Sequence, residues 1–309
     1  MVYTFIVNPR AGRGLSRRSA SQFLRALEQS DLTFDLVRTE YPRHAAELAR
    51  EAARRSDVVV AVGGDGTVNE VVSGIVASGA KPRLAVVPIG SGNDFVKMLD
   101  VPSDPADLLR DLQHEHARPA DYGRVRWDGP DGPGEGVFVN AAGAGIDAKI
   151  AETASRIKLL GGTSRYVAAV LITLRRWSAP ELSMTSEIAG RQETYPPGEY
   201  LLVLASNGRC AAGGFFLTPE ARIEDGLIDA CVVRNTSLRR ILRLIPAVLR
   251  GGRHVGAPEV SIVKTERIHI HSESPLAVQA DGEALARRAT DISFEVVQGG
   301  LSLAQKVKA

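Results

Sequence analysis

Four short runs rich in β-branched residues punctuate the N-terminal part of this chain: Tyr3–Val7, Phe34–Val37, Val58–Val62 and Leu84–Val87. Between them lie three helix-patterned stretches, Ser16–Glu28, His44–Arg54 and Asn69–Val76. That alternation constrains the fold more than any other feature. Strands covered on both faces read as continuous apolar runs, and parallel neighbours need a crossover long enough for a helix. The expectation is an α/β N-terminal domain of Rossmann-like type, with helices on both faces of a parallel sheet. Further helical stretches follow at Phe95–Leu99 and Asp104–His114.

Near Arg118 the texture changes. Residues 128–136 form a turn-rich tip, Asp-Gly-Pro-Asp-Gly-Pro-Gly-Glu-Gly, between strand-like runs at Arg124–Trp127 and Val137–Ala141. Helical patterns at Asp147–Leu160 and Thr163–Trp177 come next. Short strands then dominate, at Glu181–Ile188, Tyr200–Ser206, Leu227–Val233, Val260–Val263, Ile268–His271, Leu276–Ala280 and Ile292–Val297, with one helix at Leu238–Arg250 among them. This pattern predicts a C-terminal β-sandwich domain. Two domains suit a chain of 309 residues, with extents of 1–122 and 123–297.

Composition excludes several classes. Hydrophobic residues at 44% and charged residues at 24%, with a net charge of +2, are globular values and rule out a disordered or fibrous chain. The cysteines, Cys210 and Cys231, have no partner at metal-ligand spacing, so they read as core thiols of a reducing compartment. The longest run without Asp, Glu, Lys or Arg, Gly136–Ile146, is far shorter than the roughly 20 residues of a spanning helix. The first residues have no basic n-region and read as a strand rather than a signal peptide. A cytoplasmic protein is expected.

Three loops carry the chemistry. Asn8-Pro-Arg-Ala-Gly-Arg-Gly14 joins a strand to a helix, and such a glycine-rich turn aims backbone N–H groups and a helix N-terminus at an anion. No Gly-Lys-Ser/Thr follows, so it is not a Walker A loop. Gly63-Gly-Asp-Gly-Thr-Val-Asn-Glu70 places three glycines around one carboxylate at the carboxyl end of a buried strand, the edge where open α/β sheets bind ligands. There Gly63, Gly64 and Gly66 would let backbone approach a polyphosphate, and Asp65 would hold a metal ion or orient a phosphate. The plainer alternative is that Asp65 or Thr67 caps the helix. Pro88-Ile-Gly-Ser-Gly-Asn-Asp94 repeats the logic at the end of the next strand.

These motifs resemble those of the soluble diacylglycerol kinase/sphingosine kinase family of lipid kinases. The similarity continues through Phe138-Val-Asn-Ala-Ala-Gly143, Leu217-Thr-Pro-Glu-Ala-Arg-Ile-Glu-Asp-Gly-Leu-Ile-Asp229 and Gln279-Ala-Asp-Gly-Glu283, in the family's order. The Gly-Gly-Asp-Gly core is shared with NAD kinases, whereas Asn69-Glu70 and Ser91-Gly92-Asn93-Asp94 point to the lipid-kinase branch. The resemblance implies ATP bound between the two domains, Mg²⁺, and transfer of the γ-phosphoryl to a lipid hydroxyl, with diacylglycerol giving phosphatidic acid as the leading case. It implies that Asn8, Pro9, Arg10, Ala11, Gly12, Thr39, Gly63, Gly64, Asp65, Gly66, Thr67, Val68 and Asn69 hold nucleotide, with Ser91 beside the phosphates. Glu283 matches the family's general base, and Asp65 would organise the metal–phosphate network. Arg222, Asp225 and Leu227 match a Mg²⁺ site of bacterial members, Arg222 and Leu227 through main-chain carbonyls. The end of the chain, 298–309, would return to the first domain. A NAD-kinase-like small-molecule kinase and a non-catalytic lipid- or nucleotide-binding module are the alternatives.

Other patterns carry less. Gly143-Ala-Gly-Ile-Asp-Ala148 fits a dinucleotide fingerprint but lies outside a βαβ series. His269 and His271 share a strand face without a placed third ligand, and His114-Glu-His116 reads as a polar helix end.

The small net charge hides clustering. No acid occurs between Asp229 and Glu259, where Arg234, Arg239, Arg240, Arg243, Arg250 and Arg253 interleave with leucine, isoleucine and valine. Between Glu152 and Glu181 the pattern recurs with Arg156, Lys158, Arg165, Arg175 and Arg176. Basic amphipathic helices around 156–177 and 238–253 can lie on the anionic inner face of a cell membrane, or pack on the sandwich with solvated arginines. Aromatic residues at 5% offer no stacking platform for nucleic acid. A homodimer is left open.

Overall fold

The computed structural model describes residues 1–12, 15–114, 117–157, 159–160 and 162–308. Arg13 and Gly14 of the first glycine loop, the Glu115-His116 pair and Lys158 lie outside them. The chain divides into two compact units, Met1–Ala120 with Gly299–Ala309, and Asp121–Gln298.

The first unit runs β1 (Val2–Val7), α1 (Leu15–Glu28), β2 (Thr33–Arg38), α2 (His44–Ala52), β3 (Val58–Gly63), α3 (Asp65–Ser78), β4 (Arg83–Pro88), a 3-10 turn at Phe95–Met98 and α4 (Pro105–Gln113). Strand β1 pairs in parallel with β2 and β3, and β3 with β4. Ser302 and Leu303 add a short parallel pair beside Arg83 and Leu84. The expected α/β sheet is therefore present. Val58 through Val62 are inaccessible to solvent, and each valine so buried contributes roughly 1.5–3 kcal/mol relative to an exposed one. Phe5, Phe23, Leu27 and Leu112 complete that core, and the Tyr3 hydroxyl donates to the Leu112 carbonyl at 2.9 Å, fastening α4 to β1.

Sheet order explains where a ligand belongs. From β1 the chain moves to β2 on one side, then returns to β3 and β4 on the other. The reversal opens the sheet's carboxyl edge between β1 and β3, the position at which α/β sheets leave a crevice. Helix α3 starts at Asp65 rather than near Asn69 as the pattern predicts, because extended Gly64 serves as N-cap and Asp65-Gly66-Thr67 already enter the first turn.

The second unit contains β5 (Arg118–Asp128), β6 (Gly134–Phe138), β7 (Ala141–Gly145), α5 (Ile146–Arg156), α6 (Gly162–Leu174), β8 (Glu181–Ile188), β9 (Arg191–Ser206), β10 (Ile228–Arg234), α7 (Leu238–Leu249), β11 (Val260–Thr265), β12 (Arg267–Ala280) and β13 (Glu283–Leu303), except that the first residues of β5 and the last of β13 belong to the first unit. Its registered strand pairs are antiparallel. The strands are longer than the expected short ones. β9 serves β8 with its first half and β7 and β10 with its second, while β12 pairs with β8 and then β7. Apolar patterning marks only the half of each strand that faces the core. Polar segments such as Arg191–Thr194 continue the ladder by main-chain hydrogen bonds and give no periodic signal.

One expected strand, Val137–Ala141, is two. The ladder breaks after Phe138 because the N–H groups of Val139, Asn140 and Ala141 all donate to the Asp281 carboxylate, at 2.8, 2.9 and 3.0 Å. Helix α5 stops at Arg156, four residues short of its expected end.

Candidate active site

Within the first unit, parallel pairing sets the ends of β2, β1, β3 and β4 side by side, which brings Thr39, Asn8, Gly63 and Ser91 to one edge. Thr39 N–H donates to the Val7 carbonyl, and Asn8 N–H to that of Val62, each at 3.0 Å. Side chains then lock the loops together. Asn8 donates from Nδ2 to Thr67 Oγ1 at 3.0 Å, and its Oδ1 accepts the Arg10 N–H at 2.9 Å. Asp65 Oδ1 accepts the N–H of Asp94 at 2.6 Å and that of Phe95 at 3.4 Å. Two hydrogen-bonding side chains thus join three glycine loops that are far apart in sequence.

The glycines at the centre are set by contact. A Cβ at Gly64 would lie 3.1 Å from Gly90 Cα, and one at Gly90 would lie 2.5 Å from Gly64 Cα and 2.7 Å from Asn93 Oδ1. The two loops therefore touch backbone to backbone. A Cβ at Gly66 would meet nothing within 4 Å. The N-cap of α3 is Gly64, which has no side chain, and Asp65 and Thr67 stand inside the first turn rather than at the cap position. Among the other expected residues, Pro9 and Arg10 are exposed, Ala11 and Gly12 half-buried, and Ser91 is exposed on the turn after β4. Val68 is a core side chain whose N–H closes the first helical bond to Gly64. Glu70 accepts the N–H groups of Arg43 and Ala45 at 3.0 and 3.1 Å and so caps α2.

Asp94, missed as anything but motif, is 4% exposed and pairs with Lys97 at 2.5 Å. A carboxylate beside a lysine three residues on, just past a glycine turn, is its only sequence signal.

In the second unit, Glu283 opens β13 directly after a two-residue hairpin that pairs Ala280 with Glu283. Asp281 and Gly282 have φ of 48° and 87°, the left-handed pair a tight hairpin requires. Its position is fixed from both sides. Asp281 holds residues 139–141 as described, and Gly282 N–H donates to Gln279 Oε1 at 2.8 Å. Gln279 Nε2 in turn donates to Asp147 Oδ2 at 2.7 Å. Asp147 Oδ1 is buried without a hydrogen-bond partner, and burial pushes this carboxyl up to about 6. Gln279 opens the Gln279-Ala-Asp-Gly-Glu283 motif and Asp147 lies in the Gly143–Ala148 stretch, but neither pattern says that the two side chains meet.

The same framework reaches the expected metal segment. Asn207 donates from Nδ2 to the carbonyls of Asp121 and Val139, and Asp121 Oδ2 accepts the Gly226 N–H at 2.7 Å. Asp225 Oδ1 accepts the Leu227 N–H at 3.1 Å, and its Oδ2 lies 3.8 Å from Lys264 Nζ. Asp229 is 1% exposed, with neither oxygen hydrogen-bonded and Lys264 3.7 Å away; burial raises it to about 6. One ammonium facing two carboxylates leaves uncompensated negative charge, which fits a hard cation with oxygen ligands. No three His, Cys, Asp or Glu side chains converge on a metal position among the described residues. The family resemblance implies that Arg222 and Leu227 contribute main-chain carbonyls there. The structure does add a third group near His269 and His271: Asp291 lies 3.8 and 2.9 Å from them, as an exposed cross-strand ion pair.

Comparison with known proteins identifies the family. Residues 2–125 match the family model described as diacylglycerol kinase catalytic domain, and residues 140–305 match the YegS C-terminal NAD kinase beta sandwich-like domain. The chain is 28% identical over 283 residues to a diacylglycerol kinase of Bacillus subtilis (strain 168), covering 90% of this chain and 88% of that one. It is 30% identical over 280 residues to a diacylglycerol kinase of Staphylococcus haemolyticus (strain JCSC1435), covering 90% and 81%. A diacylglycerol kinase structure from Bacillus anthracis str. Sterne superposes with a TM-score of 0.69 at 23% identity, over 98% of this chain and 96% of that one. Yeast NADH kinase shares the fold, with a TM-score of 0.56 at 12% identity over 100% of this chain and 84% of its own.

Proposed function

This chain belongs to the diacylglycerol kinase family, and on that premise we propose that it transfers the γ-phosphoryl of ATP to the hydroxyl of diacylglycerol, giving phosphatidic acid. The observation that carries this reading is the pair of hydrogen bonds from Asp94 and Phe95 to Asp65, which hold the glycine loops after β3 and β4 in backbone contact, next to the switch point between β1 and β3. Phosphoryl transfer asks a protein chiefly for positioning and charge stabilisation, and touching glycine loops beside a helix N-terminus that begins on glycine provide both for a polyphosphate.

Asn8 to Gly12, Thr39, Gly63 to Asn69 and Ser91 would hold the nucleotide, with Asp65 fixing the loop against which the phosphates lie. Mg²⁺, when bound, neutralises charge on the transferring phosphoryl group. Glu283, on a hairpin gripped by Asp281 and Gln279, would take the proton of the lipid hydroxyl as its oxygen bonds to phosphorus and ADP leaves. The Asp225 segment, with Arg222 and Leu227 carbonyls, would hold a second Mg²⁺ that supports the framework around Asp121.

Purified protein with radiolabelled ATP, Mg²⁺ and total lipid extract tests this directly. Label in phosphatidic acid is expected. Label in a sphingoid base or another lipid alcohol would move the acceptor but keep the lipid kinase. The shared fold with yeast NADH kinase makes NAD a required second arm, and label in NADP with none in lipid would overturn the proposal.

A further inference from the structure

The first unit holds six Phe, Tyr and Trp side chains, and Tyr41 is the one among them that is exposed, at 48%. The other five pack in or against the core. A single exposed aromatic is ordinary on a protein surface. Its setting here is not.

Tyr41 stands in the loop between β2 and α2, two residues beyond Thr39. The Thr39 N–H is tied to the carbonyl of Val7, the residue before the Asn8 loop. Tyr41 therefore follows directly on the sheet edge at which the glycine loops gather.

The ring is held in place by its neighbours. One face lies flat on the His44 imidazole, with ring centroids 4.3 Å apart and planes 7° from parallel. The Tyr41 hydroxyl donates to Glu47 Oε2 at 2.6 Å, and His44 Nδ1 accepts the Glu40 N–H at 3.1 Å. The Glu47 bond raises the hydroxyl above its ordinary pKa, which keeps the ring neutral. Arg43, between the two rings in sequence, has a φ of 70°. A left-handed φ costs a non-glycine residue on the order of 1–3 kcal/mol, and such turns concentrate where function needs their shape.

This loop is fastened to α3 as well. Glu70 of α3 accepts the N–H groups of Arg43 and Ala45 at 3.0 and 3.1 Å. One turn further on, a Cβ at Gly74 would strike the Ala46 carbonyl and come 2.7 Å from Ala49 Cβ, so α2 and α3 touch backbone to backbone. The stacked pair is thus fixed to the helix whose first turn contains Asp65, Gly66 and Thr67.

Holding two rings in register costs side-chain entropy, and an exposed face gives no burial energy, so a solvated loop gains little from the pair. Imidazole covers one face of Tyr41, which leaves its exposed area on the other face and the ring edge. The charged side chains around it, Glu40, Arg43 and Glu47, are all exposed. Two carboxylates against one guanidinium do not suit a phosphate. A neutral flat ring tolerates them and stacks on an aromatic face.

We propose that Tyr41, backed by His44, is the plate on which the adenine of ATP stacks while the glycine loops take its phosphates. The inference rests on the nucleotide reading of this edge and adds to it the residue that meets the base.

Calorimetric titration of the full-length wild type, Tyr41→Ala and Tyr41→Phe with ADP and with inorganic tripolyphosphate, both with Mg²⁺, separates base from phosphate. Tyr41→Ala should weaken ADP binding roughly 5- to 150-fold, the span covered by loss of one base–aromatic stack. Tripolyphosphate has no base, so its affinity should be equal in all three proteins, as expected for a ligand that does not reach the altered ring. Tyr41→Phe keeps the ring and should recover the ADP affinity. In turnover, the alanine loss should fall on the KM for ATP rather than on kcat, because a base contact is made alike in the ground and transition states. Unchanged ADP affinity in Tyr41→Ala, or a phenylalanine variant as weak as the alanine one, would overturn the proposal. So would equal losses for ADP and tripolyphosphate, which would reduce Tyr41 to a support of the loop. A wild type that binds neither ligand would bring down the nucleotide reading together with this one, whereas the other outcomes remove the plate alone.

Discussion

Gln279 lies between a buried carboxylate and a hairpin: its Nε2 donates to Asp147 Oδ2 at 2.7 Å while its Oε1 accepts the Gly282 N–H at 2.8 Å. Glu283 is the next residue. The side chain of Gln279 thus sets the height of the turn that presents the candidate base, and Gln279→Ala should release it. Because geometry at a reacting atom is lost steeply with small displacements, kcat should fall roughly 10- to 100-fold. The KM for ATP should stay within about twofold, since no nucleotide residue is touched. An equal loss in both constants, or a fall in melting temperature that accounts for all lost activity, would contradict a positioning role.

Asp147 makes the same cluster sensitive to pH. Burial raises its folded-state pKa from 3.8 to about 6, so folding favours the protonated acid. Its contribution to stability is full below pH 3.8 and is lost as pH rises through about 6. Asp229 acts in the same direction, while His254, lowered by burial, works oppositely below its ordinary value. Asp147→Asn isolates one group, because asparagine can still accept from Gln279. Urea melts at several pH values should show the variant gaining on wild type by on the order of 2–3 kcal/mol between pH 4 and 8. A constant difference across that range would mean Asp147 titrates normally.

Gly90 and Gly66 should respond in opposite ways. The Cβ of Gly90→Ala would press on Gly64 Cα and Asn93 Oδ1, so the loops must part, with a cost of about 1–3 kcal/mol and loss of activity. Gly66→Ala meets no protein atom, and its melting temperature should equal wild type. If polyphosphate lies over α3, Gly66→Ala should nevertheless raise the KM for ATP at least about tenfold. An unchanged KM would remove Gly66 from the nucleotide site.

Asp65→Asn preserves an acceptor for the Asp94 N–H, whereas Asp65→Ala removes it. The alanine variant should lose about 1–2 kcal/mol of stability through two orphaned N–H groups, and the asparagine variant much less. Both should lose phosphoryl transfer by a factor of roughly 10² or more if the charge itself is needed. An active asparagine variant would reduce Asp65 to a loop fastener.

Binding of Mg²⁺ near Asp225 has a readout independent of turnover. Millimolar Mg²⁺ should raise the melting temperature of wild type, because a ligand of the folded state stabilises it by mass action. Asp225→Asn should abolish that shift. The same shift in both proteins would move the stabilising ion elsewhere.

The sequence by itself determined the α/β class, the sandwich class and the positions of the glycine loops. Val58–Val62 is apolar on every residue and Tyr3–Val7 on every residue but Thr4, and only strands buried on both faces ask for that. Gly63-Gly-Asp-Gly and Asp281-Gly282 announce themselves because close backbone approach and left-handed φ values tolerate few other residues. Tertiary structure alone decided what those loops touch. Nothing local in Asn8 says that its amide meets Thr67, or in Gln279 that its amide meets Asp147, 132 residues away. Hydrogen bonds between distant strands have no periodicity to read. The arginine helices divide in the same way: their amphipathic pattern is local, but only packing on β10 decided that Leu238 and Leu242 stay in solvent while Ile241 and Val248 do not. Burial is a property of what lies opposite a side chain, and in a chain with this much long-range strand pairing, what lies opposite is seldom a sequence neighbour.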